Sequence, residues 1–228
     1  HIGKKILLLC SPIPQKINWQ ILMFRFFRKK KSQQLADVFH DIYYKSDLWK
    51  MSETGSGVGS TLDHTKSIRE KIPSLLQSVN ARWLLDAPCG DLNWMSQVSL
   101  NNIRYTGADI ISKMIEENKR KFPEHEFIVA DITKDPLPPA DLVLCRDCFI
   151  HLPNKLISAA IENFKKSGIK YMLTNTYNFI TENKDIKPGR FRMINLKLPP
   201  FSLPEPESYI EEDFTDGYPD KKLALWKL

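Results

Sequence analysis

The chain has 228 residues, 42% hydrophobic and 26% charged, which suffices for a full core and excludes a disordered, fibrous or disulfide-scaffold protein. The formal net charge of +6 suggests an anionic partner, but the excess gathers at Arg25, Arg28, Lys29, Lys30 and Lys31 and says little about the remainder. Cys10, Cys89, Cys145 and Cys148 have no framework spacing, which predicts a reducing, cytoplasmic compartment.

In chain order, Ile6 to Cys10 is an apolar run too short to span a membrane and followed by no small-residue cleavage site. The first residue is His1, which predicts an excised part of a larger polypeptide or a tag remnant at this end. Ile17 to Lys31 joins large apolar side chains to a basic tail. It reads either as a helix packing on the core or a neighbouring domain, or as a membrane-surface helix; its narrow polar face favours packing. Ser32 to Lys50 reads as a helix with Leu35, Val38, Phe39, Ile42 and Tyr43 on one stripe, whose default meaning is core packing. Residues 1–50 are therefore expected to be a helical extension and 51–228 the main domain.

Thr54 to Ser60, T-G-S-G-V-G-S, lacks the lysine of a phosphate-binding loop and precedes rather than follows a strand. It is either a flexible linker or a lid over a ligand, with a helix from Thr61 to about Gln77 after it. Trp83 to Asp86 is an apolar strand ending in an acid. Pro88 and Gly90 then break the backbone, and Leu92 to Val98 is expected to restart as a helix whose free N–H groups hold an anion. Ile103 to Ile110 ends at Asp109, about 20 residues on, the separation of an acid that binds ribose hydroxyls. Glu126 to Asp131 closes on a third acid. Three carboxylates along one sheet edge repel unless hydrated or paired, so their arrangement suggests a ligand site.

A fourth strand, Ala140 to Cys145, leads into Arg146-Asp147-Cys148-Phe149-Ile150-His151. Cys145 and Cys148 form a C-x-x-C without further metal ligands in view, so buried thiols are expected and no metal. Asn154 to Lys166 is an amphipathic helix and Lys170 to Thr176 a fifth strand. The irregular stretch from Tyr177 is longer than a turn needs, which suggests a binding role on the acceptor side. Arg190 and Arg192 can grip a phosphate or carboxylate there, or pair with Glu182 or Asp185; Tyr177, Phe179 and Phe191 can stack on a sugar face. Pro199 to Pro206 reads as an edge-covering loop, and Tyr209 to Glu212 and Lys222 to Lys227 as closing strands.

D-A-P-C-G-D, Asp109 and the pair Asp131-Ile132 resemble motifs I, II and III of the class I S-adenosylmethionine-dependent methyltransferases, over Ala81 to roughly Lys170. The closing K-L-A-L-W-K-L resembles that family's last, antiparallel strand. Ala87 and Asp91 stand where the family usually has glycine. With Pro88, Cys145-Arg146-Asp147 and His151-Leu152, they resemble a D-x-P-C-G-D subgroup found in bacterial surface-polysaccharide contexts and in a large chlorovirus glycan-synthesis protein.

The resemblance implies an α/β fold with a Rossmann-like, seven-stranded, mostly parallel sheet and helices on both faces. It implies S-adenosyl-L-methionine as cofactor and S-adenosyl-L-homocysteine as product. Asp86 and the backbone around Cys89 and Gly90 would hold the amino-acid end, Asp109 the ribose, and Asp131 and Ile132 the adenine; Ala87, Pro88, Ile110 and Arg146 are further cofactor-binding positions. Trp94 is either a neighbour of the sulfonium or ordinary core. His151 is either the general base or a pocket wall, and Asp147 either orients it or takes the proton itself. The expected reaction is methylation of a sugar hydroxyl in a surface glycan, with rhamnose a candidate. A small-molecule or protein acceptor, or a non-catalytic cofactor-binding module supporting a partner enzyme, are the alternatives. Nucleic acid is disfavoured, since no N-P-P-Y-type motif follows the fourth strand and no basic stripe lies outside the N-terminal cluster.

Overall fold

The computed structural model describes residues 35–212 and 220–228, so the expectations for Ile6 to Cys10 and Ile17 to Lys31 lie outside the described residues. Seven strands, β1 (Trp83–Asp86), β2 (Arg104–Asp109), β3 (Glu126–Val129), β4 (Leu142–Cys145), β5 (Tyr171–Tyr177), β6 (Ser208–Glu211) and β7 (Lys221–Lys227), form one sheet in the order β3-β2-β1-β4-β5-β7-β6. The first five are parallel, and β7 runs antiparallel to both β5 and β6. This is the predicted mostly parallel Rossmann-like sheet.

Central strands of such a sheet are covered on both faces and must be apolar throughout. Accordingly Leu84, Leu85, Leu142, Val143 and Leu144 are all buried. On one face α2 (Lys66–Ser78) packs Ile68, Ile72 and Leu76, and α3 (Ser112–Lys121) adds Ile115. On the other, α4 (Asn154–Lys166) contributes Ile157, Ala160, Ile161 and Phe164 at helical spacing. Each such aliphatic side chain stabilises the fold by about 1.5–3 kcal/mol relative to exposure. A further helix, α1 (residues 35–45), lays Leu35 and Phe39 against the α4 side. Among the described residues no helix is long and apolar enough to cross a membrane.

Two expectations are corrected. No α-helix restarts after Gly90: Leu92 adopts φ 57, in the left-handed region, and only a short 3-10 turn at Met95–Gln97 follows. The helix start expected there is therefore absent. The fifth strand also runs one residue further than expected, through Tyr177, and carries that side chain into the core, 1% exposed.

Candidate functional site

Strand order reverses between β1 and β4, and a ligand crevice is expected at the carboxyl ends of the strands at such a point. A cleft lies there, its walls including Asp86, Pro88, Cys89, Gly90, Trp94, Asp109, Ile110, Asp131, Ile132, Arg146, Asp147 and His151. The structure thus brings together most of the residues singled out in the sequence. Ala87 is the exception within the first motif: its side chain is fully buried and its N–H donates to the Leu144 carbonyl at 2.9 Å, continuing the sheet.

The acids of the first two strands share one condition, burial without an ion pair. Burial raises the Asp86 carboxyl to about 7, against the Tyr105 hydroxyl that donates to Oδ2 at 2.7 Å. Burial likewise raises Asp109 to about 6, although Ile111 N–H donates to Oδ1 at 2.9 Å and Gly90 N–H to Oδ2 at 3.2 Å. Gly90 takes φ +55, which suits glycine, and the close approach of Ser56 leaves no room for a Cβ. Asp131 turns onto its own loop, accepting from Thr133 N–H and Oγ1 and pairing with Lys134 at 3.0 Å.

The end of β4 is different. Arg146, 7% exposed, ion-pairs through Nη2 with Glu212 at 2.8 Å and through Nη1 with Asp147 at 3.1 Å, while Nη1 also donates to the Gly59 carbonyl. Lys221 closes the square, 3.1 Å from Asp147 Oδ2 and 3.2 Å from Glu212 Oε2. Burial alone would raise the Asp147 carboxyl, but Arg146 and Lys221 outweigh it and hold it at about 2. Asp147 is a fixed anion and not the proton acceptor envisaged from the sequence. Nor does it bond to His151.

His151 is oriented from elsewhere. Its Nδ1 lies 3.1 Å from the Arg190 carbonyl, which can only accept, so Nδ1 carries the proton and Nε2 keeps its lone pair. Burial lowers the imidazole pKa below 6.5, opposed by that carbonyl and by Asp147, so the ring is neutral near pH 7. The backbone around it is clamped: Gly189 N–H donates to His151 O and Arg192 N–H to Ile150 O. Trp49 and Phe191 flank the ring, with centroids 4.7 and 6.0 Å away.

The acceptor-side residues picked from sequence are corrected. Tyr177 is core, as its strand requires. Arg192 is a structural clamp, donating to the carbonyls of Phe149, Leu152 and Lys184 and to Asn154 Oδ1. Burial lowers its pKa to about 10. Arg190 is exposed and does not line the cleft; its carbonyl serves the site.

Sequence reasoning missed the roof. Leu35, Phe39 and Tyr43 of α1, and Trp49 beyond it, line the cleft. The roof is fastened by Asp91, whose Oδ2 accepts from Tyr43 Oη (3.2 Å), Thr54 Oγ1 (2.6 Å) and Gly55 N–H (3.2 Å). The i, i+4, i+8 spacing of Leu35, Phe39 and Tyr43 was the available signal, but it reads equally as core.

Residues 84–167 match the family model described as a methyltransferase domain. The likeness to a methyltransferase domain lies in this segment. It runs from β1 through α4 and so contains the strand-end acids, Arg146, Asp147 and His151. The methyltransferase domain of bacterial CtHen1-C is similar at TM-score 0.54 and 16% identity, covering 72% of this chain and 98% of that one. Human N-acetylserotonin methyltransferase in complex with SAM gives 0.52 at 14% identity, covering 86% and 65%. The PH0226 protein of Pyrococcus horikoshii OT3 gives 0.52 at 16%, covering 72% and 89%. At these identities the likeness establishes the fold. No curated protein matches the sequence. A methyltransferase domain on this fold takes S-adenosylmethionine as methyl donor, and the cleft fits it: acids for a ribose, and buried polar atoms of Ser56, Arg146 and Asp147 without a partner in the protein; the Trp94 ring is covered by the Arg146 guanidinium, 5.4 Å from its centroid.

Proposed function

We propose that the protein is an S-adenosylmethionine-dependent O-methyltransferase whose acceptor is a sugar hydroxyl of a surface glycan, with His151 as general base. The reading rests on the fixed tautomer of His151: a neutral imidazole on the cleft wall, its Nδ1–H spent on the Arg190 carbonyl, its Nε2 lone pair left to receive a proton. The bound cofactor supplies an electrophilic methyl group on a sulfonium. The protein's part is to hold an acceptor oxygen in line with that methyl and to take its proton as the new C–O bond forms. Asp147 stays ionised beside Arg146 and Lys221 and stabilises the imidazolium that results. Asp109 holds the ribose by accepting from its hydroxyls, and Ile132 packs on the adenine.

The sugar acceptor is supported by two features. Trp49 and the 44%-exposed Phe191 border His151, offering aromatic faces of the kind on which pyranose rings stack. The D-A-P-C-G-D, Cys145-Arg146-Asp147 and His151-Leu152 set resembles the subgroup met in polysaccharide and chlorovirus glycan synthesis. The fold itself leaves the acceptor open, since a similar structure is named for N-acetylserotonin. The test is transfer of label from isotopically labelled S-adenosylmethionine to oligosaccharides ending in rhamnose, fucose or xylose, with His151→Ala beside the parent. Label in a glycan, lost in the variant, is expected. Absence of transfer to any glycan, with S-adenosylhomocysteine still bound, would remove the sugar acceptor.

A further inference from the structure

In this fold the end of β1 normally presents an anion-binding helix start, yet here Leu92 turns left-handed and Gly90 N–H is taken by Asp109. The carboxylate of a cofactor's amino-acid end therefore meets no helix start here, and side-chain donors around the turn can serve it. Three buried polar atoms on residues lining the cleft have no hydrogen-bond partner in the protein: Ser56 Oγ, Arg146 Nε and Asp147 Oδ1. A buried donor or acceptor left without a partner is costly, so such atoms gathered at one cleft point to a ligand.

They lie at the same end. Gly59 binds Arg146 Nη1 through its carbonyl, and a Cβ on Gly59 would meet Asp147 Oδ2 at 2.6 Å. Ser56 reaches over the first-motif turn, where a Cβ on Gly90 would come within 2.9 Å of its hydroxyl. The loop is held there by Ser60 Oγ donating to Ser56 O, Asn93 Nδ2 donating to Ser60 O, and Thr54 donating to Asp91. This end lies over β1 and β4, away from Asp131 on the β3 side. Two donors and one permanent anion match a zwitterionic amino acid, the donors facing its carboxylate and the anion its ammonium.

We propose that the glycine-serine loop supplies Ser56 as a binding residue for the amino-acid end of the cofactor, its hydroxyl donating to the carboxylate beside Arg146 Nε–H, with Asp147 Oδ1 facing the ammonium. The assignment rests on the methyltransferase reading and specifies how this chain replaces the missing helix start. The loop is thus part of the binding site rather than a spacer.

The test is calorimetric binding of S-adenosylhomocysteine and of 5′-methylthioadenosine, which lacks the amino-acid end, to the parent and to Ser56→Ala. Loss of one hydrogen bond to a charged group weakens S-adenosylhomocysteine by about ten-fold. Affinity for 5′-methylthioadenosine stays within about two-fold of the parent. An unchanged S-adenosylhomocysteine affinity, or equal weakening of both ligands, would overturn the role of Ser56. If the parent binds neither ligand, the cofactor reading itself fails, an outcome distinct from both.

Discussion

The carboxyl ends of β1 and β2 and the turn that follows β4 all carry acids, yet they hold them in opposite states. Asp86 and Asp109 are buried without an ion pair, and burial raises them to about 7 and 6. Asp147, two residues past the end of β4, sits between Arg146 and Lys221 and is held at about 2. Burial sets the problem in both regions, and the neighbouring charge decides the answer. The first region can change charge near neutral pH; the second cannot.

The sharpest way to break this contrast is Arg146→Leu. It leaves Asp147 and Glu212 with Lys221 alone, and stripping a cation from buried acids costs about 3–5 kcal/mol. Urea denaturation should show that loss; a change below about 1 kcal/mol would mean that the square of charges does not hold the β4 end.

His151→Ala tests the consequence for chemistry. It should lower kcat by about a hundred-fold or more, with S-adenosylhomocysteine affinity unaltered. In the parent, kcat should fall as pH drops through a value below 6.5, because burial depresses the imidazole and the protonated ring cannot accept. The variant should lack that limb. A limb that persists would transfer the titration to another group.

Asp109→Asn tests the first region. The ionised carboxylate is the better acceptor for ribose hydroxyls, so the variant should bind S-adenosylhomocysteine about ten-fold more weakly. With the folded value raised to about 6, the parent takes up a proton as pH falls through that value and its affinity should drop there. Calorimetry at pH 5 and 8 should show the difference in the parent and a smaller one in the variant.

Gly189→Ala gives the smallest effect and addresses the clamp on His151. Gly189 has φ +78, and a Cβ there would come within 2.6 Å of Ile42 Cδ1 and 3.1 Å of Val38 Cγ1. Strain of about 1–2 kcal/mol should loosen the backbone that presents the Arg190 carbonyl, lowering kcat by about five-fold without altering S-adenosylhomocysteine binding. Equal losses in both would mean that the roof, not the base, had moved.

What was readable in the sequence divides along the same line. Whereas β3 stops at Val129, two residues short of the expected acid Asp131, the apolar runs that end in Asp86 and Asp109 announce strands and a crevice, because both the period and the final acid are local. Asn154 to Lys166 was bounded correctly for the same reason. The β4 end was half legible: Arg146, Asp147 and His151 stand together, but Lys221 and Glu212 arrive from the far end of the chain, and without them Asp147 looks like a base. Tyr177 and Arg192 were misread because an irregular, polar stretch resembles a binding loop until its hydrogen bonds are counted inward. Asp91 stood out only as a departure from the family pattern and Ser56 only as part of a linker or lid, because the partners that give them roles lie across the fold.

The fastening of α1 to the rest through Asp91 carries a practical consequence for anyone dissecting this chain. A boundary drawn at residue 51, where composition suggests one, would cut away Leu35, Phe39, Tyr43 and Trp49 and leave the cleft open along one wall. The shortest fragment that keeps every wall of the cleft begins no later than Leu35, so the catalytic unit of this chain is larger than its methyltransferase motif region.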